Sequence, residues 1–280
     1  MTVPTPAFPS SIPLMPAYIR ARGALTVRFS PTPRGTRAAA FSETGGYRLK
    51  FPRAQGCEAM IVNTGGGIAG GDGLVIEAAC ETGAEATIST QSAEKIYRAQ
   101  RDPARISVDL SIGPGAALAW LPQETILFDG ARLERRVDIA MASDARLTLC
   151  EAVVCGRTAM GERMETGLLS DKWFVRRGGR LVFADCLRLD GAVASRLDRQ
   201  AAGGGGHAFA TILRIAPDAP AHVEPLRCAL DGSGLDWGVS AWDGMLAVRF
   251  AATDASLLRR ELVKVLSRFP DCAVPRIWAW

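Results

Sequence analysis

The sequence predicts a mainly β protein of helical or solenoid-like stacked sheets, with a few short α-helices including one near the C-terminus. Three observations carry this. Apolar residues alternate with a period of two over most of the chain. Glycine and proline punctuate those runs as turns. A weak internal repeat recurs at an offset of 32 residues, a spacing suited to β-units that each bury a face on the next.

Taken in order, residues 1–17 form a proline-rich segment expected to be flexible, and residues 18–280 are expected to form a single domain. Leu25, Val27 and Phe29 begin the alternation, followed by Tyr47, Leu49 and Phe51, then Leu74, Ile76 and Ala78, then Ile106, Val108 and Leu110. Each set reads as a half-buried strand. The repeat pairs Gly83-Ala84-Glu85-Ala86-Thr87-Ile88 with Gly115-Ala116-Ala117-Leu118-Ala119-Trp120, and a degenerate third copy runs from Asp144 to Glu151. A short helix is expected over Ser92 to Arg98. A longer one is expected over Thr253 to Phe269, with Leu258, Leu262, Val265, Leu266 and Phe269 on one face and Thr253 or Asp254 as cap. In that helix Arg259, Arg260, Glu261 and Lys264 are expected to face out. Ala201 to Gly206 reads as a loop.

Composition bounds the function. At 48% hydrophobic and 22% charged the chain is an ordinary globular protein. The net charge of +4 is mild, and acids alternate with arginines, so no basic stripe is offered to nucleic acid. No apolar run is long enough to cross a bilayer, and the N-terminal residues lack the pattern of a secretion signal. Seven cysteines without a CxxC pair read as reduced, buried residues of a cytoplasmic protein.

The motif Asn63-Thr64-Gly65-Gly66-Gly67-Ile68-Ala69-Gly70-Gly71-Asp72-Gly73 holds a literal G-x-G-x-x-G. A dinucleotide site needs a helix directly after it, whereas Leu74 to Ala79 alternate as a strand. No Gly-Lys-Ser/Thr follows for a phosphate loop. The reading is a tight β-connection, with Asp72 capping the turn or pointing into a cleft. His207 and His222 are the only histidines, which leaves little for a nucleophilic triad or a closed zinc site. Carboxylates are the chemistry that is left. Glu94 and Glu124 follow the repeat-related Gln91 and Gln123, and Glu151 lies between Cys150 and an apolar run. Oxygen ligands of this kind hold a divalent ion weakly.

Four blocks resemble a known family. Val62 to Asp72, Ser89 to Arg98, Trp120 to Phe128 and Gly156 to Glu162 resemble, in order and spacing, the NT(A/G)GG-(I/L/V)AGGD, TTQAAEKVYRS, WLPQETILF and GRxAMGE blocks of the urease accessory protein UreD (UreH) family. The resemblance runs from about Arg20 to the end. It implies a β-rich scaffold without catalytic activity that binds UreF, reaches the GTPase UreG through UreF, and docks on the urease apoprotein. It also implies transient passage of nickel(II), with no cofactor permanently bound and no role for nucleic acid or membrane. Weak ligation by carboxylates suits such a conduit, and the passage residues expected on that ground are Glu94, Glu124, Asp129 and Glu151, with Asp72 next. The block residues Thr64, Gly65, Gly66, Gly70, Gly71, Gln91, Lys95, Tyr97, Arg98, Pro122, Gln123, Phe128, Arg157, Gly161 and Glu162 are expected to serve structure or interfaces. Residues 1–17 and the stretch around 192–206 have no strong counterpart in the family. Exposed aromatics such as Trp278 and Trp280 are expected to need a covering partner. Two rival readings are an adaptor without a metal role and a β-helical enzyme acting on polysaccharide.

Overall fold

The computed structural model describes residues 20–53 and 56–279; the proposed flexible segment 1–17 and Trp280 lie outside them. The chain runs β1 (Arg22–Thr32), β2 (Gly35–Thr44), β3 (Tyr47–Lys50), β4 (Cys57–Asn63), β5 (Gly73–Cys80), β6 (Glu85–Thr90), β7 (Glu94–Ile96), β8 (Ala104–Ile112), β9 (Ala117–Leu121), β10 (Thr125–Leu127), β11 (Arg132–Met141), β12 (Arg146–Cys155), β13 (Thr166–Arg177), β14 (Arg180–Ala192), α1 (Val193–Leu197), β15 (Ala208–Ile215), α2 (Val223–Leu230), β16 (Asp236–Trp242), β17 (Met245–Ala252) and α3 (Ala255–Leu266).

These strands build two facing sheets. One has the order β14-β13-β11-β8-β5-β1-β2, the other β16-β17-β15-β12-β9-β6-β4-β3. Successive coils alternate between them: β5 leads to β6, β8 to β9 and β11 to β12. Within each sheet the coil strands pair in parallel, β5 with β8 with β11 and β6 with β9 with β12. The predicted repeat is this stacking, since Glu85 pairs with Ala117 and Ala117 with Arg146. The short β7 and β10 extend the second sheet beside the C-terminal end of β12.

The alternation in the sequence maps onto burial. Leu25, Val27, Phe29, Leu74, Ile76, Val108 and Leu110 face the second sheet and are buried. The middle strands of the second sheet are buried on both faces, and β9 and most of β12 are apolar without alternation. Its outer face carries a second core made with α2, α3 and the C-terminal turn, including Leu121, Ile212, Phe250, Leu258, Leu262 and Phe269. The first turn of α3 is capped by the Asp254 carboxylate, which accepts from the Ser256 and Leu257 N–H groups at 2.7 and 3.1 Å.

Several expectations are corrected. Ser92 to Arg98 holds no helix, because Glu94–Ile96 is β7, drawn into parallel pairing with β10; pairing with the neighbouring coil overrides local propensity. Phe51 follows β3 and is exposed, while Tyr47 and Leu49 are buried. Trp278 is buried at 2% exposure, its indole N–H donating to the Leu121 carbonyl at 3.0 Å. Arg259 does not face out but turns back toward the WLPQE block. Of the seven cysteines, all free, Cys186 and Cys228 are exposed and Cys57 is half-buried, while the other four are buried.

The glycine motif is the connection between β4 and β5, and it is followed by a strand. Gly70 has no room for a side chain: a Cβ there would strike the Ala99 side chain and sit 2.7 Å from the Asp102 carbonyl oxygen. Gly70→Ala is expected to lower the melting temperature by several degrees, corresponding to about 1–3 kcal/mol of overpacking. An unchanged melting curve would show that the neighbouring connection yields freely.

Candidate functional site

Between the two sheets lies a cluster of buried charges. β11 alternates inward through Leu133, Arg135 and Val137, and β13 through Leu169, Asp171 and Trp173. Register places Arg135 beside Asp171, and the guanidinium grips that carboxylate with Nε at 3.0 Å and Nη2 at 2.6 Å. From the opposite sheet, Glu151 on β12 accepts from Arg135 Nη1 at 2.5 Å and from the Trp120 indole N–H at 2.8 Å. Trp173 donates its indole N–H to Asp171 at 3.2 Å, and Thr125 Oγ1 accepts from Arg135 at 3.2 Å. All three charged groups are about 5% exposed or less.

One guanidinium faces two carboxylates, so the cluster carries a net negative charge when both acids are ionised. Burial pushes the Glu151 carboxyl upward against the pull of Arg135, and the charge of Asp171 adds to the rise. A cavity of about 290 Å³ opens onto the cluster, lined by Glu151, Asp171, Trp173 and Phe209 among others. Its walls also include Asp185 and Arg249, paired at 2.9 Å, with the Arg249 side chain largely in solvent. The mostly apolar walls of this cavity thus bring the Asp185–Arg249 pair and the buried carboxylates of Glu151 and Asp171 onto one space.

The other acids named from sequence lie elsewhere and do not converge on Glu151. Asp72 closes the glycine loop, accepting from the Ala21 and Ala69 N–H groups at 2.8 and 2.9 Å. Glu94 accepts from Asn63 Nδ2 at 2.8 Å, and its backbone N–H meets the Glu124 carbonyl at 3.0 Å. Burial pushes the Glu94 carboxyl up to about 7, against the opposing bond from Asn63. Glu124 takes both oxygens to Arg259 Nη1 at 3.2 and 2.9 Å, and Gln123 Oε1 accepts from the same nitrogen. Arg259 also donates to the Ile277 and Trp278 carbonyls, so the WLPQE block anchors α3 and the C-terminal turn. Asp129 pairs with Arg98 at 2.5 Å and accepts from the Thr166 N–H at 3.1 Å. Among the described residues no group of three or more His, Cys, Asp or Glu side chains is placed to hold a metal ion.

The block residues are brought together on one ledge. The Thr64 hydroxyl donates to the Gly46 carbonyl, and the Gly65 N–H to Asn63 Oδ1. The Tyr97 hydroxyl donates to the Gly66 carbonyl at 2.9 Å, and its ring meets Phe128 edge-on at 5.2 Å. The Lys95 carbonyl accepts from the Ile68 N–H. Gln123 Nε2 donates to the Gln91 carbonyl at 3.2 Å, and Pro122 beside it is buried. Arg157 lies 4.4 Å over the Phe128 ring and binds Glu162 through Nε and Nη2 at 2.6 and 3.1 Å. Gly161 takes a left-handed φ of 68° next to that clasp, and Gly71 a φ of 85°.

Sequence reasoning missed Arg135, Asp171, Asn63 and Arg259. A signal existed for the first two: each is a charge at an inward phase of an alternating strand. One consequence is testable now. The fold favours protonated Glu94, so its contribution is full below the ordinary carboxyl value of 4.5 and is lost as pH rises through about 7. Glu94→Gln keeps an acceptor for Asn63. It is expected to raise stability above pH 7 by on the order of 1 kcal/mol and to flatten the decline between these values. Urea unfolding of both proteins across this range checks it; parallel profiles would contradict it.

The arrangement has clear relatives. Residues 21–279 match the family described as UreD urease accessory protein. The chain is 46% identical over 261 residues to the urease accessory protein UreD of Rhodopseudomonas palustris strain HaA2, covering 92% of this chain and 93% of that one. It is 47% identical to the Bradyrhizobium diazoefficiens UreD, covering 92% and 94%, and 41% identical to the Azorhizobium caulinodans UreD, covering 94% and 98%. The chain belongs to the UreD family of urease accessory proteins.

Proposed function

We propose that this chain is a non-catalytic scaffold of urease maturation in the cytoplasm. It binds UreF and the urease apoprotein, reaches the GTPase UreG through UreF, and passes nickel(II) toward the urease active site. The observation that carries the nickel step is the buried Arg135–Glu151–Asp171 cluster at the end of the cavity. Nickel is cargo here, and cargo must leave. Carboxylates already satisfied by a guanidinium and by indole N–H donors offer a divalent ion oxygen contacts without a closed cage, which suits transient contact and exchange. Arg135 keeps the acids from becoming a trap, because an arriving cation competes with a charge already in place.

The adaptor reading without a metal role has its own observation: Asp72, Glu124 and Asp129 are each engaged in structural bonds. On this geometry Glu151 is the strongest passage candidate of the five acids. A bulky apolar residue at Glu124 would loosen the clamp on α3 as well as remove a carboxylate.

Co-expression of the urease subunits with UreF and UreG, with and without this chain, tests the proposal. The expected outcome is inactive, nickel-poor urease when the chain is omitted, and co-purification of the chain with UreF when it is present. Fully active urease in its absence would remove the maturation role.

A further inference from the structure

The cavity between the sheets has a buried end and an exposed rim. Glu151, Asp171 and Trp173 close the inner end at 5% exposure or less. Cys186, Leu187, Ala202 and the Arg249 side chain line the outer side and reach solvent.

The polar residues on its walls lie in register. On the second sheet Glu151 of β12 pairs with Thr211 of β15, and Thr211 with Arg249 of β17. On the first sheet Arg135 of β11 pairs with Asp171 of β13, and Asp171 with Leu187 of β14. Each row steps outward by about 4.8 Å per strand, which sets the backbone of Arg249 about 10 Å from that of Glu151. Asp185 is two residues from Leu187 and shares its face of β14. It meets Arg249 across the gap at 2.9 Å, so the pair joins the edge strand of the first sheet to the second.

Two pairings of carboxylate with guanidinium therefore share one cavity, and they differ in burial. Arg135 is 5% exposed and is held by two carboxylates and a threonine hydroxyl. Breaking such a buried set leaves charges without partners and is costly. The Arg249 side chain is 57% exposed, and among the described residues its one ion pair is with Asp185. A pair this exposed contributes little and parts readily, with the guanidinium free to move into water. Asp185 keeps a second support when it does, since it also accepts from the Cys186 N–H at 2.9 Å.

We propose that the Asp185–Arg249 pair is a displaceable bar across the mouth of this cavity, and that Asp185, once released, gives an entering divalent cation its first carboxylate contact. This rests on the passage reading above and gives that site its entrance. A hydrated cation cannot exchange water for apolar walls; it needs an oxygen at the rim. Asp185 is the one lining carboxylate besides Glu151 and Asp171, and the Thr211 hydroxyl lies on the row between rim and cluster. A doubly charged ion competes with the single charge of Arg249 better than a monovalent one does.

The test co-expresses the full-length chain with UreF, UreG and the urease subunits and measures the nickel content of urease from limiting to excess nickel. Asp185→Asn and Arg249→Gln are compared with Arg188→Gln, which breaks an exposed pair with Asp190 away from the cavity. Asp185→Asn is expected to lower urease nickel roughly fivefold at limiting nickel, the scale of one exposed charge contact, and to recover in excess nickel. Arg249→Gln is expected to load urease at least as well as wild type, and Arg188→Gln to stay within roughly twofold of it. Three results would overturn the bar and leave the passage reading intact: normal loading by Asp185→Asn while Glu151→Gln fails, a deficit in Asp185→Asn that excess nickel does not relieve, or an equal deficit in Arg249→Gln. Normal loading by both Glu151→Gln and Asp185→Asn would sink the passage reading, and this proposal with it.

Discussion

Parallel stacking of the coils in register is the constraint on which the rest of this structure depends. Once β5, β8 and β11 lie side by side, residues about one coil apart become neighbours. Asn63 and Glu94, Glu58 and Ser89, Arg98 and Asp129, and Trp120 and Glu151 are hydrogen-bonded pairs, each 31 residues apart. Sequence blocks that look separate are therefore rungs of one ladder. Strand pairing supplies the stability, and side chains at matching positions are free to build an interior charge cluster on one side and a surface ledge on another.

The charge cluster is costly to keep. Removing two carboxylates and a guanidinium from water takes several kcal/mol per ion, and replacement of such groups by well-packed apolar residues is often neutral or stabilising, by about 1–4 kcal/mol. Here the geometry repays part of that cost, since both indole N–H groups and a threonine hydroxyl complete the cluster. An apolar filling at these positions would hold the two sheets together as well. What it would not provide is oxygen atoms facing the cavity, and that is the physical case for a role beyond stability.

Much of the fold was legible because period-two alternation and the repeat are local signals. The strands around Leu25, Leu74 and Ile106 lie where the alternation put them, and α3 buries the predicted face under an Asp254 cap. The misreadings share a cause. Ser92 to Arg98 became a strand because the next coil supplied a partner, and Arg259 turned inward because Gln123 and Glu124, more than a hundred residues earlier, offered three acceptor oxygens. Trp278 closed over Leu121 for the same reason. Helical patterning says which face is apolar, but not that a charged residue at its margin has a distant partner. Glu151 and the block residues could be named from the sequence, whereas the pairing of Arg135 with Asp171 and Glu151 depended on which strands lie side by side and which face each other across the core.

The central claim is that the buried charges serve passage and not only the fold. Replacing the three together with neutral near-isosteres, Arg135→Gln, Glu151→Gln and Asp171→Asn, keeps hydrogen-bonding groups in place and removes every charge. The decisive quantity is the nickel content of urease matured with this variant, measured alongside the variant's own folding and its co-purification with UreF. The account predicts a folded, partner-bound chain that leaves urease poor in nickel. Urease loaded to the wild-type level by that chain would contradict it.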